Sequence, residues 1–151
     1  MLFRWLVPFA AAAALHAQGQ AVGRGVNFYS IEKEIALGAE LAQTFRQQHA
    51  PLDNAAVRDY IEQLGARLVR STAVENPFTF HFEATVDSAS SFVEPQAFPG
   101  GYIFVPAGLI LSAKSEAELA GTMAHAIAHV LARHGARQAT RAQMAPKQAN
   151  P

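Results

Sequence analysis

The sequence predicts an α+β fold: a helical hairpin, a small antiparallel sheet, and one long helix packed beneath that sheet. Three observations carry this expectation. Residues 30–68 hold two apolar stripes at three- and four-residue steps, residues 78–86 alternate apolar and polar, and residues 115–135 are an alanine-rich run opened by a capping box. Half of the 151 residues are hydrophobic and only 16% are charged, enough apolar material for one packed core but not two.

In chain order, Arg4 precedes an apolar run from Trp5 to Leu15, and Ala17 closes the stretch. One positive charge, a short apolar run and a small residue are the marks of a secretory signal peptide over residues 1–17, and the run is too short to span about 30 Å of hydrocarbon. The chain is therefore expected to be exported, periplasmic or secreted, meeting a membrane only transiently through that signal. Residues 18–29 carry Gly19, Gly23 and Gly25 without a period and read as a flexible entry segment. The domain proper is expected over residues 30–145, with 146–151 as a tail.

Ser30 is placed to cap a first helix, with Glu32 and Glu34 in the turn where the helix dipole favours negative charge. Its stripe is Ile31, Ile35, Gly38, Leu41, Ala42 and Phe45, and Pro51 forces a break. Asp53 is placed to cap a second helix with the stripe Val57, Ile61, Leu64 and Leu68. From Phe78 the period becomes two, with Phe78, Phe80, Phe82, Ala84 and Val86 on one face. His81 and Glu83 fall on the other face as solvated strand residues, and residues 87–91 read as a turn. Pro99-Gly100-Gly101 then reads as a tight bend entering a strand at Tyr102–Val105, and Pro106 places that strand at a sheet edge. An edge there would let an extended peptide add itself by main-chain hydrogen bonds.

The alanine-rich helix carries the chemistry. Ser115 and Glu118 form its capping box, Leu119, Met123, Ile127 and Val130 its apolar stripe, and Gly135 its expected stop. His125 and His129 stand four residues apart, which puts two imidazoles about 6 Å apart along the axis and on one face, so both can point at one metal ion. In H-E-x-x-H the residue after the first histidine is the general base. Here it is Ala126, whose methyl group cannot take a proton.

Other chemistries are excluded by composition. Lys plus Arg equals Asp plus Glu at 12 each, so no basic excess draws the chain to nucleic acid. With no cysteine there is no disulfide, thiol nucleophile or thiolate ligand. Neither a Gly-rich phosphate loop nor a G-x-S-x-G elbow is present.

Several segments together resemble the HtpX-like and CAAX-prenyl-protease-like zinc metallopeptidases, and most closely their exported bacterial branch in outer-membrane protein quality control. They are V-N-F-Y-S-I-E-K-E-I-A-L-G at 26–38, L-G-A-R-L-V at 64–69, P-F-T-F-H-F at 77–82, P-G-G-Y-I-F-V at 99–105, E-A-E-L-A-G-T-M-A-H at 116–125 and I-A-H-V-L-A-R-H-G-A-R-Q at 127–138. The resemblance implies a zincin-type fold and zinc-dependent endopeptidase chemistry on unfolded or extended polypeptide. His125 and His129 match the metal ligands, Ala126 stands at the position of the family's general-base glutamate, and Gly100, Gly101 and Tyr102 match the border of the substrate cleft. His134, nine residues after His125, falls on the opposite side of a continuous helix and is read as a supporting residue behind the ligands.

Three departures accompany the match. Ala126 removes the base. The family takes its third ligand from a glutamate on a later helix, and this sequence has no acidic residue after Glu118, so the zinc site is expected to be incomplete and the domain truncated before that helix. Glu94, on the loop before the glycines, is the substitute weighed for that ligand. Finally, Ser91 to Phe98 replaces the family's usual approach to Pro-Gly-Gly. The resulting expectation is an exported zinc metalloendopeptidase relative that is inactive or nearly so, the alternative being a non-catalytic module that binds unfolded polypeptide at an edge strand.

Overall fold

The computed structural model describes residues 26–86 and 94–145. The signal call at 1–17, the first part of the entry segment, the turn at 87–91 and the tail at 146–151 lie outside the described residues. The elements are α1 (Ile31–Gln48), α2 (Ala55–Ser71), β1 (His81–Thr85), β2 (Gln96–Phe98), a 3-10 turn (Pro99–Gly101), β3 (Tyr102–Pro106), α3 (Ala107–Ser112), α4 (Glu116–Leu131) and α5 (His134–Met144). Helices surround one small sheet, so the class is α+β.

The sheet is mixed rather than antiparallel, with strand order β1-β3-β2. The Pro-Gly-Gly turn folds β2 back on β3 as an antiparallel hairpin, and β1 enters on the other side of β3 running parallel to it, His81 opposite Tyr102 and Thr85 opposite Pro106. The strand at Tyr102–Val105 is therefore central, paired on both sides, and not the edge expected from Pro106. That proline ends β3 without exposing it, because it is the last residue of the strand and the cap of α3.

Three layers follow from the alternation along β3. Ile103 and Val105, both fully buried, face a core with Ile61 and Leu64 of α2, Phe82 and Ala84 of β1, and Leu119, Met123, Ile127 and Val130 of α4. Phe104 points the other way, its ring 4.6 Å from Phe45 of α1 and 5.7 Å from Phe98. Each such side chain withdrawn from water contributes roughly 1.5–3 kcal/mol, so β3 is the strand on which both layers depend.

The first two helices do not form the expected hairpin. The first lies on the Pro-Gly-Gly turn, the second on β1 and α4. At Gly38 a Cβ would sit 1.7 Å from the Pro99 carbonyl oxygen, so only glycine lets α1 descend onto the turn. Gly100 and Gly101 adopt φ of 76° and 109°, and a Cβ at Gly100 would meet the Ile35 backbone at 2.8 Å. The buried face of α1 is accordingly Glu34, Gly38 and Ala42, while Ile35 and Leu41 of the expected stripe stay partly exposed. The cap of α2 is Asn54, one residue beyond Asp53, its side chain accepting from the Val57 amide at 3.2 Å. Glu83 is not simply solvated either: both its oxygens accept from Arg46.

Residues 26–29, expected to be part of a flexible segment, are tied to α5. The Phe28 amide donates to Thr140 Oγ1 at 3.0 Å and Gln143 donates to the Tyr29 hydroxyl at 2.7 Å. Among the described residues no helix is long and apolar enough to cross a membrane.

Candidate metal centre

The central helix α4 forms where its capping box demands. Ser115 Oγ accepts from the Glu118 amide at 3.2 Å, and Glu118 reaches back to accept from the Lys114 amide at 2.9 Å. Its apolar stripe locks the opposite face into the core, so the rotation of the helix is fixed and His125 and His129 are left exposed on one side. Their Nε2 atoms lie 2.9 Å apart with the rings perpendicular.

The two histidines open on a cleft of about 460 Å³. One wall is α4, with Ala126 between the histidines and only 4% exposed. The opposite wall is the segment Glu94 to Ala97 leading into and along β2. His134 and Gly135, at the start of α5, close one end. The sheet edge bordering the cleft is thus β2. Gly100 is buried against Ile35 of α1 and Gly101 against the Thr79 backbone, while Tyr102 is half-buried with its ring stacked on His81 at 5.0 Å and the Arg46 guanidinium above it at 5.7 Å. None of these three lines this cavity. They build the turn that carries β2.

The continuous helix expected through His134 is not what forms. The helix does not run on to Gly135 but ends at Leu131, and Arg133 takes the left-handed conformation with φ 55° and ψ 35°. This break swings His134 back over the preceding turn, where its Nδ1 lies 2.7 Å from Nδ1 of His129. His134 therefore lies beside the His125–His129 pair instead of behind a continuous helix. Its pKa is lowered, first by desolvation and then by His129 and the Arg137 and Arg141 charges. Gly135 is the second residue of α5 and serves close packing, since a Cβ there would come within 2.9 Å of Pro99 Cγ.

Left-handed arginine is unfavourable by about 1–2 kcal/mol, and the offset comes from 99 residues away. Arg133 Nε donates to Glu34 Oε2 at 2.6 Å, and its terminal nitrogen donates to the Tyr29 carbonyl at 2.8 Å. Glu34 is wholly buried. The sequence places Glu34 and Arg133 each as a charge suited to its own helix dipole and gives no sign that they pair. No local pattern links two residues so far apart, and the preference for glycine in the left-handed region pointed to Gly135 instead.

The imidazole pair fits a divalent metal. Two metal–nitrogen bonds of about 2.0–2.1 Å at a tetrahedral angle separate their nitrogens by about 3.3 Å, and the observed 2.9 Å needs only a slight opening. His129 also has its far nitrogen partnered, as metal-bound histidines generally do. A third ligand is a different matter: among the described residues no three His, Cys, Asp or Glu side chains are grouped to hold a metal ion. Glu94 shares the cleft without joining the pair.

The family model for peptidase family M48 matches residues 55–149. A protein of Vibrio cholerae serotype O1 named "Putative beta-barrel assembly-enhancing protease" is 40% identical over 109 residues, covering 72% of this chain and 22% of the relative. Beta-barrel assembly-enhancing proteases of Yersinia pestis and Escherichia coli (strain K12) are each 34% identical over 109 residues, covering 72% of this chain and 21% of their own. The chain thus spans about a fifth of the length of these curated relatives. With a cleft flanked by paired histidines and a family match across most of the sequence, the chain belongs to peptidase family M48, the metallopeptidases.

Proposed function

We propose that this chain is an exported, zinc-binding M48 domain of the HtpX-like and CAAX-prenyl-protease-like kind, acting on unfolded polypeptide, in which Ala126 has removed the general base. The observation that carries the reading is the His125–His129 pair, 2.9 Å between Nε2 atoms, opening on a cleft with a methyl group where a carboxylate is needed. Zinc supplies Lewis-acid polarisation of a peptide carbonyl and activation of water. His125 and His129 hold the ion, and His134 fixes the ring of His129. The β2 segment lies across the cleft, so an extended chain laid along it would run past the two histidines.

No side chain at position 126 can move the proton of the attacking water. Loss of a positioned general base lowers rate on the order of 10²- to 10⁴-fold, so the chain binds its polypeptide and hydrolyses it barely or not at all. The test is Ala126→Glu. Zinc-loaded Ala126→Glu protein is expected to cleave an unfolded substrate such as reduced casein at least about 10²-fold faster than the unaltered chain, in a reaction stopped by chelator. An Ala126→Glu protein that retains zinc and gains no activity sinks the assignment of that position.

A second reading, a polypeptide-binding module without catalysis, is favoured by the sheet order alone: β2 is an edge strand on the cleft. It moves the peptide-binding edge from Tyr102–Val105 to Gln96–Phe98. Its test is binding of a fluorescent unfolded peptide to the metal-free chain, and absence of binding contradicts it.

A further inference from the structure

His129 makes two imidazole contacts at once, through Nε2 to His125 and through Nδ1 to His134. A neutral imidazole carries one proton, so the two contacts are coupled. If His134 donates to Nδ1, the proton of His129 must sit on Nε2, and no lone pair faces the cleft. If His129 donates from Nδ1, its Nε2 keeps a lone pair on the cleft side, facing His125. The position of His134 therefore decides which face of His129 a metal meets.

That position is set by the break between α4 and α5. Arg133 is the residue with positive φ among the described non-glycine residues, and a helix continued through it would carry His134 away from His129. The left-handed turn is held by the buried carboxylate of Glu34 at 2.6 Å and the Tyr29 carbonyl at 2.8 Å. Glu34 belongs to α1, outside the residues that the family model matches. A single chain of contacts, Glu34 to Arg133 to the break to His134 to His129, connects the first helix to the metal-facing nitrogen.

We propose that Glu34 and Arg133 are positioning residues for His129: their ion pair holds the break, the break sets His134 against Nδ1 of His129, and that contact keeps the proton on Nδ1 and leaves Nε2 free for a metal ion. The inference rests on the reading of His125 and His129 as the metal pair. A histidine whose far nitrogen is hydrogen-bonded binds metal more tightly, and removing such a partner typically lowers affinity 10- to 100-fold.

The experiment uses the full chain and two readouts. Long-range ¹H–¹⁵N spectra of the metal-free protein report the His129 tautomer, and calorimetric titration with zinc chloride reports affinity. Unaltered protein is expected to show His129 protonated on Nδ1. His134→Ala and Glu34→Leu, which leaves Arg133 no acceptor at position 34, are expected to shift it toward the Nε2-protonated form and to weaken zinc about 10- to 100-fold with the fold intact. His134→Asn, whose amide oxygen can accept from Nδ1, restores both. Should Glu34→Leu fail to fold, the double variant Glu34→Leu/Arg133→Ala removes the same ion pair with no charge left buried, and the same two changes are expected. The proposal is overturned if His129 is protonated on Nε2 in the unaltered chain, or if tautomer and affinity are unmoved in folded variants. Absence of zinc binding to the unaltered chain defeats the metal reading instead, and the tautomer spectra still decide the positioning role.

Discussion

Replacing Arg133 by alanine tests the buried ion pair by the sign of a rescue. The side chain of Glu34 is 1% exposed and that of Arg133 26%, so the two partners are unequally able to recover water when the pair is broken. Arg133→Ala leaves a carboxylate sealed in the protein without a counter-charge, which is worth about 3–5 kcal/mol, while the left-handed conformation adds nothing to the difference because arginine already occupies it. That loss is a large fraction of the roughly 5–15 kcal/mol that stabilises a domain. Glu34→Gln keeps an oxygen for Arg133, whose charge is partly hydrated, and should lose only about 1–2 kcal/mol. The double variant removes the buried charge altogether and is therefore expected to be more stable than Arg133→Ala alone. Urea unfolding followed by circular dichroism measures all four proteins; with slopes of about 1–3 kcal/mol per molar urea, Arg133→Ala should lower the midpoint by about 1 M or more. A double variant less stable than Arg133→Ala would refute the reasoning, because it would mean that the carboxylate is not the source of the penalty.

Other predictions concern the frame around the site. Gly38→Ala should destabilise by about 3 kcal/mol or more, since a methyl 1.7 Å from the Pro99 carbonyl must push α1 off the turn, and thermal unfolding will read the loss. Arg46→Ala removes an ion pair to Glu83 and a guanidinium 5.5 Å from the Phe104 ring centroid, but the pair is well exposed to water, so the change should be at most about 1 kcal/mol. That smaller loss should shrink further in high salt, and a salt-independent loss would point to packing rather than charge.

The helices that announce themselves by local chemistry were legible in the sequence. Ser30 and Ser115 cap α1 and α4, and Leu119, Met123, Ile127 and Val130 form the buried stripe of α4, because capping and periodicity are short-range properties. The bend at Pro99–Gly101 was legible for the same reason, and it does join β2 to β3. Sheet order was not: Pro106 suggested an edge, but a proline that is the final residue of a central strand gives the same sequence signal. The face of α1 was misread because a glutamate is normally solvated, and only a partner on another helix makes burial of Glu34 tolerable. The place of His134 depended on the helix break at Arg133, which in turn depends on that same distant carboxylate. The cleft itself, formed between α4 and the stretch before β2, is a product of tertiary packing that no spacing of residues encodes.

Zinc titration of the chain against its His129→Ala variant tests the central claim most directly. Equilibrium dialysis followed by metal analysis should find one zinc per unaltered chain, and His129→Ala should lose it while keeping its circular dichroism. Zinc that is absent from the unaltered chain, or equally retained by His129→Ala, would contradict a metal centre built on the α4 histidines.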